Sequence, residues 1–398
     1  MDTHFQILIV GGGNAGISVA AQLLRKDPNL TLAIVEPSDK HYYQPAWTLV
    51  GGGEFALEDT IRTEAEVMPE RAVWIRDRAV AFVPDQNQVE TATSGILTYD
   101  YLVVCPGIQL NWGQIKGLPE TLGKNGVCSN YAVDQCSYTW ETVRNFKGGT
   151  ALFTSPGTPV KCGGAPQKVM YLSSDHFKRR GILKQTRVEF CTAGGMLFGV
   201  KKYAAALEKV VARYGIHLFF RHDLISIDGP QKKVVFKVTD RQGHTTEVTK
   251  SFDMIHVTPP QSAPDFVRES PLADAAGWID VDPHTLRHRH YDNVFGLGDA
   301  TNTPNAKTGA AVRKQAPVVV ENLLAALQHR SLPATYNGYG SCPLVTGIGR
   351  LILAEFDYNH EPQESFPFDQ ARERFSMYQL KKRVLPWMYW NKILKGTA

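Results

Sequence analysis

Short apolar runs rich in β-branched residues recur along the chain, each closed by glycine or a polar turn and followed by a stretch of helical composition. The first, Gln6 to Val10 (QILIV), is apolar throughout and predicts a strand buried on both faces. It runs into Gly11-Gly12-Gly13-Asn14-Ala15-Gly16, after which Ile17 to Arg25 reads as a helix that Asp27-Pro28-Asn29 ends. Thr31 to Val35 (TLAIV) is the next buried strand and stops at Glu36. Tyr99 to Gly107 (YDYLVVCPG), Thr150 to Ser155 (TALFTS) and Arg187 to Thr192 (RVEFCT) repeat the pattern. Asp292 to Ala300 (DNVFGLGDA) is an apolar strand ending at Gly298-Asp299, ahead of a helix-compatible stretch from Thr308 to Gln328. Strands alternating with helices predict an α/β protein with parallel sheets.

The first unit has the order strand, G-x-G-x-x-G, helix, strand, acid. Gly11 permits the tight turn, Gly13 lets backbone approach a pyrophosphate and Gly16 lets helix pack on strand, while the helix N-terminus, at Asn14 and Ala15, faces the phosphates. Glu36 lies twenty residues past Gly16, where a carboxylate accepts ribose hydroxyls. Dinucleotide binding is the expectation. The length of 398 residues implies two to three domains, and 43% hydrophobic with 21% charged residues excludes a disordered chain. A net charge of +4 is too small to hold a polyanion, so no nucleic-acid partner is expected. Six cysteines without a Cys-x-x-Cys pair form neither a disulfide scaffold nor a zinc site, and the twelve histidines offer no ligand cluster, so no metal is expected. No apolar run reaches the roughly 18 residues of a spanning helix, and no signal-like segment precedes the first strand.

The segment ending at Gly298-Asp299 resembles the second FAD signature of two-dinucleotide-fold flavoproteins, and Tyr99 to Gly107 resembles the strand and turn that leave their first lobe. The resemblance implies non-covalent FAD, with Asp299 on the ribityl chain. It also implies two Rossmann-like domains: a split FAD domain over residues 1–110 and 264–330, and a second lobe over 111–263. Residues 331–398 form a C-terminal segment. In nicotinamide-dependent relatives the turn after Thr150 to Ser155 carries a second G-x-G-x-x-G. Here it reads Pro156-Gly157-Thr158-Pro159-Val160-Lys161-Cys162-Gly163-Gly164-Ala165-Pro166, with two prolines and a cysteine where the phosphate cradle belongs.

Four segments extend the likeness to the whole chain: Lys161 to Lys168 (KCGGAPQK), Ser341 to Thr346 (SCPLVT), Glu355 to Tyr358 through Phe366 to Asp369, and His41 to Pro45 (HYYQP). The chain resembles the type II, mitochondrial-like group of sulfide:quinone oxidoreductases. That resemblance implies a redox pair, Cys162 and Cys342, bridged as a disulfide or trisulfide. Hydrosulfide opens the bridge to a persulfide, and attack at flavin C4a passes two electrons to FAD and on to ubiquinone or another membrane quinone. It places Cys162 on the flavin side and Cys342 as persulfide carrier, with a sulfane-sulfur acceptor downstream. Pro45, Gly107 and Lys307 are expected near the flavin, and Gln315 and Phe356 near the quinone. Lys161 is a candidate to lower the Cys162 pKa, with a solvated lysine as the alternative.

Other residues support plainer readings. Cys105 and Cys191 end apolar strands and read as small buried hydrophobes. Cys128 and Cys136 fall outside the redox motifs, Cys128 keeping a minor claim to participation. His288 and His290, alternating in a basic run, read as solvated surface, and His41 is open between packing and proton transfer. From Ala371 to Ala398, seven basic residues and one acid interleave with Tyr378, Trp387, Trp390 and leucines. This predicts two short interfacial helices divided by Pro386, with Trp387 and Trp390 at a bilayer surface. The expected location is peripheral or monotopic on the inner membrane, on the bacterial cytoplasmic face or in a mitochondrion after processing. A homo-oligomer is compatible with the sequence. The nearest rival is a type II NADH:quinone oxidoreductase; a non-catalytic FAD scaffold is the rival of another class.

Overall fold

A computed structural model describes residues 3–398. Two parallel sheets organise the chain. The first is built on β1 (His4–Val10), which leads into α1 (Asn14–Lys26) and β2 (Leu32–Val35). β1 lies between β2 and β3 (Ile96–Val104), with Ile9 opposite Ile34 on one side and Val103 on the other. The sheet has seven strands in all and is mixed, since its outer hairpin, Ala79–Val83 with Gln88–Thr91, is antiparallel. Ile7, Leu8 and Ile9 are fully buried because helices or loops cover both faces, which explains their unbroken apolar run.

The second sheet has β4 (Gly149–Ser155) at its centre, followed by α2 (Ala165–Arg179) and β5 (Thr186–Thr192). β6 (Met254–His256) returns to pair with the other edge of β4, and all neighbours are parallel. The chain then re-enters the first sheet through β7 (Val294–Gly296), parallel to β3 with Val294 opposite Leu102. α3 (Gly309–Leu327) packs against α1, burying Gln315 and Asn322 on its inner face. A hairpin follows, β8 (Gly340–Gly347) and β9 (Arg350–Phe356), with Cys342 opposite Ala354.

The last segment departs from expectation. One continuous helical run extends from Phe375 to Ile393 straight through Pro386, instead of two helices divided there. Wider π-type turns at Leu380–Val384 and Tyr389–Ile393 frame the proline and absorb its missing N–H. No helix among the described residues is long and apolar enough to cross a membrane.

Candidate active site

The two glycine-bearing turns meet in space. A side-chain carbon added at Gly298 would lie 3.6 Å from Ala15 Cβ, and one at Gly309 would lie 3.5 Å from Asn14 Nδ2. Gly11 has φ +110°, and a Cβ there would meet Cys105 O at 2.5 Å, so no other residue fits the turn. A Cβ on Gly13 would meet nothing, and Gly13 caps α1 without a side-chain hydrogen bond. The helix N–H groups therefore face open room where a pyrophosphate fits. Glu36 ends β2 and accepts from the Gly12 and Ser38 N–H groups at 2.8 Å each. Burial raises its pKa against those hydrogen bonds.

Gly298 is in a left-handed conformation, and its N–H donates to Gln315 Oε1 at 2.9 Å. Gln315 is fully buried, so it braces the Gly-Asp turn and presents nothing to a membrane. The Asp299 carboxylate has no hydrogen-bond donor among the described residues; burial raises its pKa, opposed by Lys307 and Lys161. A half-buried, unpartnered carboxylate beside open turns suits a ligand rich in hydroxyls. Gly107 likewise turns left-handed into open space. The residues present thus fit a flavin dinucleotide.

Cys162 lies in the turn between β4 and α2. Its φ of +53° is strained for a side-chain-bearing residue, and its N–H is held by the Lys307 carbonyl at 2.7 Å. That conformation brings its Sγ to 3.9 Å from Cys342 Sγ on β8. Any side chain at Gly164 would strike Cys342 Sγ, which explains the glycine at that position. Both cysteines are present as thiols. Lys168, in the first turn of α2 and 2% exposed, donates to Cys162 Sγ at 3.0 Å. The Cys342 hydrogen bond and the Lys168 ammonium together hold the Cys162 pKa well below the usual thiol value, against burial. The same contact and burial push Cys342 up. Of the two, Cys162 is the one that favours the thiolate and Cys342 the one that favours the thiol.

Lys161 is not the partner of Cys162. Its ammonium turns away to Gln44 Oε1 at 2.7 Å and the Tyr131 carbonyl at 3.2 Å, and burial lowers its pKa to about 8. Lys381, from the C-terminal run, is 3% exposed and donates to the Pro45 carbonyl at 2.6 Å. Burial and the nearby Lys168 charge bring its pKa down to about 7. Lys307 is also buried; it donates to Thr301 O at 2.8 Å, lies 4.1 Å above the Trp278 ring, and has a pKa lowered to about 8 by burial.

A cavity of about 620 Å³ opens beyond the ends of β4 and β5 and reaches Cys342, Gly164 and Lys307. Met196, Phe356 and His360 line it further out, and Phe356 stands edge-on to Phe198 at 5.8 Å. It occupies the place where a parallel sheet of this kind binds a nucleotide. The turn that would cradle phosphates is instead filled by Cys162.

Among the remaining candidates, Cys128, Cys136 and Cys191 are buried, and burial pushes each pKa up to about 12; Cys105 rises further still. His288 is 2% exposed, not solvated: its ring shares hydrogen bonds with the Leu272 carbonyl and the His290 N–H, while His290 faces out. Strand-like bridges at Val281–His288 and Arg287–Phe295 turn alternate residues inward. Trp387 is 56% exposed, with Phe375 and Val384 also exposed on the same run. Trp390 instead turns inward, edge-on to His41 at 5.9 Å and beneath the Arg62 guanidinium at 5.0 Å.

No family model matches the chain. It is 45% identical over 393 residues to the mitochondrial sulfide:quinone oxidoreductase of Mus musculus, covering 99% of this chain and 87% of the relative. It is 47% identical to the mitochondrial sulfide:quinone oxidoreductase of Dictyostelium discoideum, covering 98% and 86%. The chain belongs to the sulfide:quinone oxidoreductase family. The solved sulfide:quinone oxidoreductase of Aquifex aeolicus superposes with a TM-score of 0.82 over 98% of this chain and 92% of that one, at 20% identity, sharing the fold. The sequence signal for Lys168 is Pro166, which marks the start of α2 and so sets Lys168 in its first turn, close to the Cys162 turn. Nothing in the row Lys381-Lys382-Arg383 marks Lys381 as the inward one.

Proposed function

We propose that Cys162 and Cys342 are the redox pair of this sulfide:quinone oxidoreductase, with Cys342 carrying the sulfur and Cys162 facing the flavin. The observation that carries this reading is the pair itself: two sulfurs 3.9 Å apart, one held as thiolate by Lys168, the other at the end of the open cavity. Residues 1–110 with 264–330 form the cofactor lobe, 111–263 the second lobe and 331–398 the C-terminal segment. FAD, held non-covalently by Gly11 to Gly16, Glu36, Gly298 and Asp299, supplies when bound a two-electron carrier between sulfur and quinone.

Hydrosulfide entering the cavity attacks the Cys342 sulfur of the oxidised bridge. One S–S bond forms on Cys342 as the persulfide, and the Cys162–Cys342 bond breaks with its electron pair on Cys162. Lys168 stabilises that leaving thiolate, which makes Cys162 the better leaving group. A nucleophilic acceptor removes the outer sulfur from Cys342 and leaves a thiolate there. The two thiolates then re-form the bridge and release two electrons. The 3.9 Å gap also leaves room for one bridging sulfur, as a trisulfide requires. Lys161 and Lys381, with pKa values near neutrality, grip the Gln44–Pro45 turn from two sides and are positioned to exchange protons there.

The exposed Phe375, Val384 and Trp387, flanked by Arg383, Lys392 and Lys395, form the surface by which the enzyme meets a membrane and its quinone. The enzyme is peripheral on the inner membrane. The test is an anaerobic flavin spectrum with sulfide in one sample and NADH in another, then a short-chain ubiquinone in each. Bleaching by sulfide alone, reversed by quinone, is expected. Bleaching by NADH alone would refute the assignment, since Pro156, Pro159 and Cys162 occupy the second phosphate turn.

A further inference from the structure

His41 lies on the short strand Lys40–Tyr42 and is 3% exposed. Its Nδ1 is 3.2 Å from Glu64 Oε2 and its Nε2 is 2.6 Å from Tyr389 Oη, and the two partners are 1% and 5% exposed. A carboxylate only accepts, so Nδ1 carries the proton and Nε2 accepts from the Tyr389 hydroxyl. Three buried groups thus run in one hydrogen-bonded line from the C-terminal helical run to the cofactor lobe. The proposed redox chemistry does not use them.

The acidic end of this line lies against the glycine-rich turn. Glu64 Oε1 is buried and has no hydrogen-bond partner. It lies 2.9 Å from where a Cβ on Gly12 would stand, and Glu36, the ribose-binding carboxylate of the fingerprint, flanks the same point at 2.7 Å. Glu64 is fixed by the Thr63–Glu66 capping box of its own short helix. Glu64 thus packs directly under the Gly12 backbone of the phosphate turn, and any shift of Glu64 is felt by that turn and by Glu36.

The other end is fixed as firmly. The Tyr389 ring packs against Tyr43 at 4.8 Å and Trp390 at 5.0 Å. Gly396 lies so close to α1 that a Cβ on it would meet the Ala21 carbonyl carbon at 2.8 Å. The C-terminal segment therefore rests on the helix that faces the pyrophosphate and on the strand beside the ribose carboxylate.

We infer that Glu64, His41 and Tyr389 form a buried hydrogen-bonded chain that ties the C-terminal segment to the Gly12 turn beside Glu36, so that the bound adenosine-ribose end of the dinucleotide and the docked segment stabilise each other. This rests on the reading of the first lobe as the FAD site. Linkage makes the effect reciprocal: bound FAD tightens the segment, and a docked segment slows FAD release. The segment that presents Trp387 to lipid is thereby most ordered in the cofactor-loaded enzyme.

The test compares purified holoenzyme with Tyr389→Phe and Tyr378→Phe. Tyr378 is the control, since it donates to Glu54 Oε2 at 2.6 Å from the same segment without touching the hydrogen-bonded chain. Release of FAD on dilution is followed by flavin fluorescence, and tryptic cleavage at Arg383 and Lys392 is followed with and without excess FAD. Tyr389→Phe is expected to release FAD roughly ten-fold faster and to lose the protection that FAD gives the segment. Tyr378→Phe should match wild type in FAD release. Equal release from wild type and Tyr389→Phe, or equal acceleration by Tyr378→Phe, overturns this coupling alone. Wild-type protein purified without flavin overturns the FAD reading as well.

Discussion

Replacing Lys168 by methionine removes one charge and one hydrogen bond while keeping the length of the side chain. Its ammonium stands 3.0 Å from Cys162 Sγ in the interior. A hydrogen bond to a charged group is worth about 1.5–3 kcal/mol, or roughly one to two pKa units. The competing support is the Cys342 thiol at 3.9 Å. A neutral donor supplies about 1 kcal/mol, and less at a long distance. Lys168→Met is therefore the larger perturbation and Cys342→Ala the smaller. Because the folded pKa of Cys162 is depressed, wild type keeps its thiolate as pH falls through the ordinary thiol range and loses it only below. In Lys168→Met the midpoint moves up by roughly one to two units, so the thiolate is lost at a higher pH than in wild type. The assay is anaerobic iodoacetamide labelling of the reduced enzyme across pH, with Cys162 quantified by mass spectrometry, alongside the rate of flavin bleaching by sulfide. A labelling profile that superimposes on wild type, or a larger shift in Cys342→Ala than in Lys168→Met, would refute the reasoning.

Cys342→Ser should abolish sulfide-dependent quinone reduction while the flavin absorbance survives gel filtration; retained turnover would remove Cys342 from the redox pair. Cys128→Ser should keep sulfide turnover within about two-fold of wild type, because a thiol that burial pushes up to about 12 contributes almost no nucleophile; a large loss of turnover with normal flavin content would reinstate it. Trp387→Glu should weaken sedimentation with anionic vesicles roughly ten-fold, in line with the burial energy of one large side chain, and leave reduction of a water-soluble quinone analogue intact. Unchanged vesicle binding would mean that another surface meets the lipid.

The cofactor turn was legible because each of its requirements is local. Gly11, Gly13 and Gly16 answer steric demands within one strand-turn-helix unit, and Glu36 follows at the end of the next strand. The approach of Cys162 to Cys342 was not legible from spacing, since it depends on the second sheet, the β8–β9 hairpin and their packing together; only the family motifs paired them. Lys161 was the natural candidate for the thiolate partner because it is adjacent in sequence. Adjacent side chains in a turn diverge, however, and the residue that returns to Cys162 comes from the first turn of α2. His288 and Lys381 misled for a related reason. A basic run looks solvated in composition, but local alternation at His288 and the helical phase at Lys381 turn one residue of each run into the core. Pro386 suggested a break, which the π-type turns on either side remove.

In the proposed chemistry, the placement of the two sulfurs would let the bridge open on every turnover without losing the site. Cys162 is fixed by the hydrogen bond from its own N–H to the Lys307 carbonyl and by the start of α2, and Cys342 by the strand register that sets it opposite Ala354. Neither position depends on the covalent bond between them. On that proposal the leaving sulfur would meet the Lys168 ammonium and the persulfide would stay at the cavity end, so both partners would remain within reach for closure. Preorganisation by backbone and charge thus replaces the short Cys-x-x-Cys loop that keeps other redox pairs together, and it permits donor and acceptor to approach from different lobes.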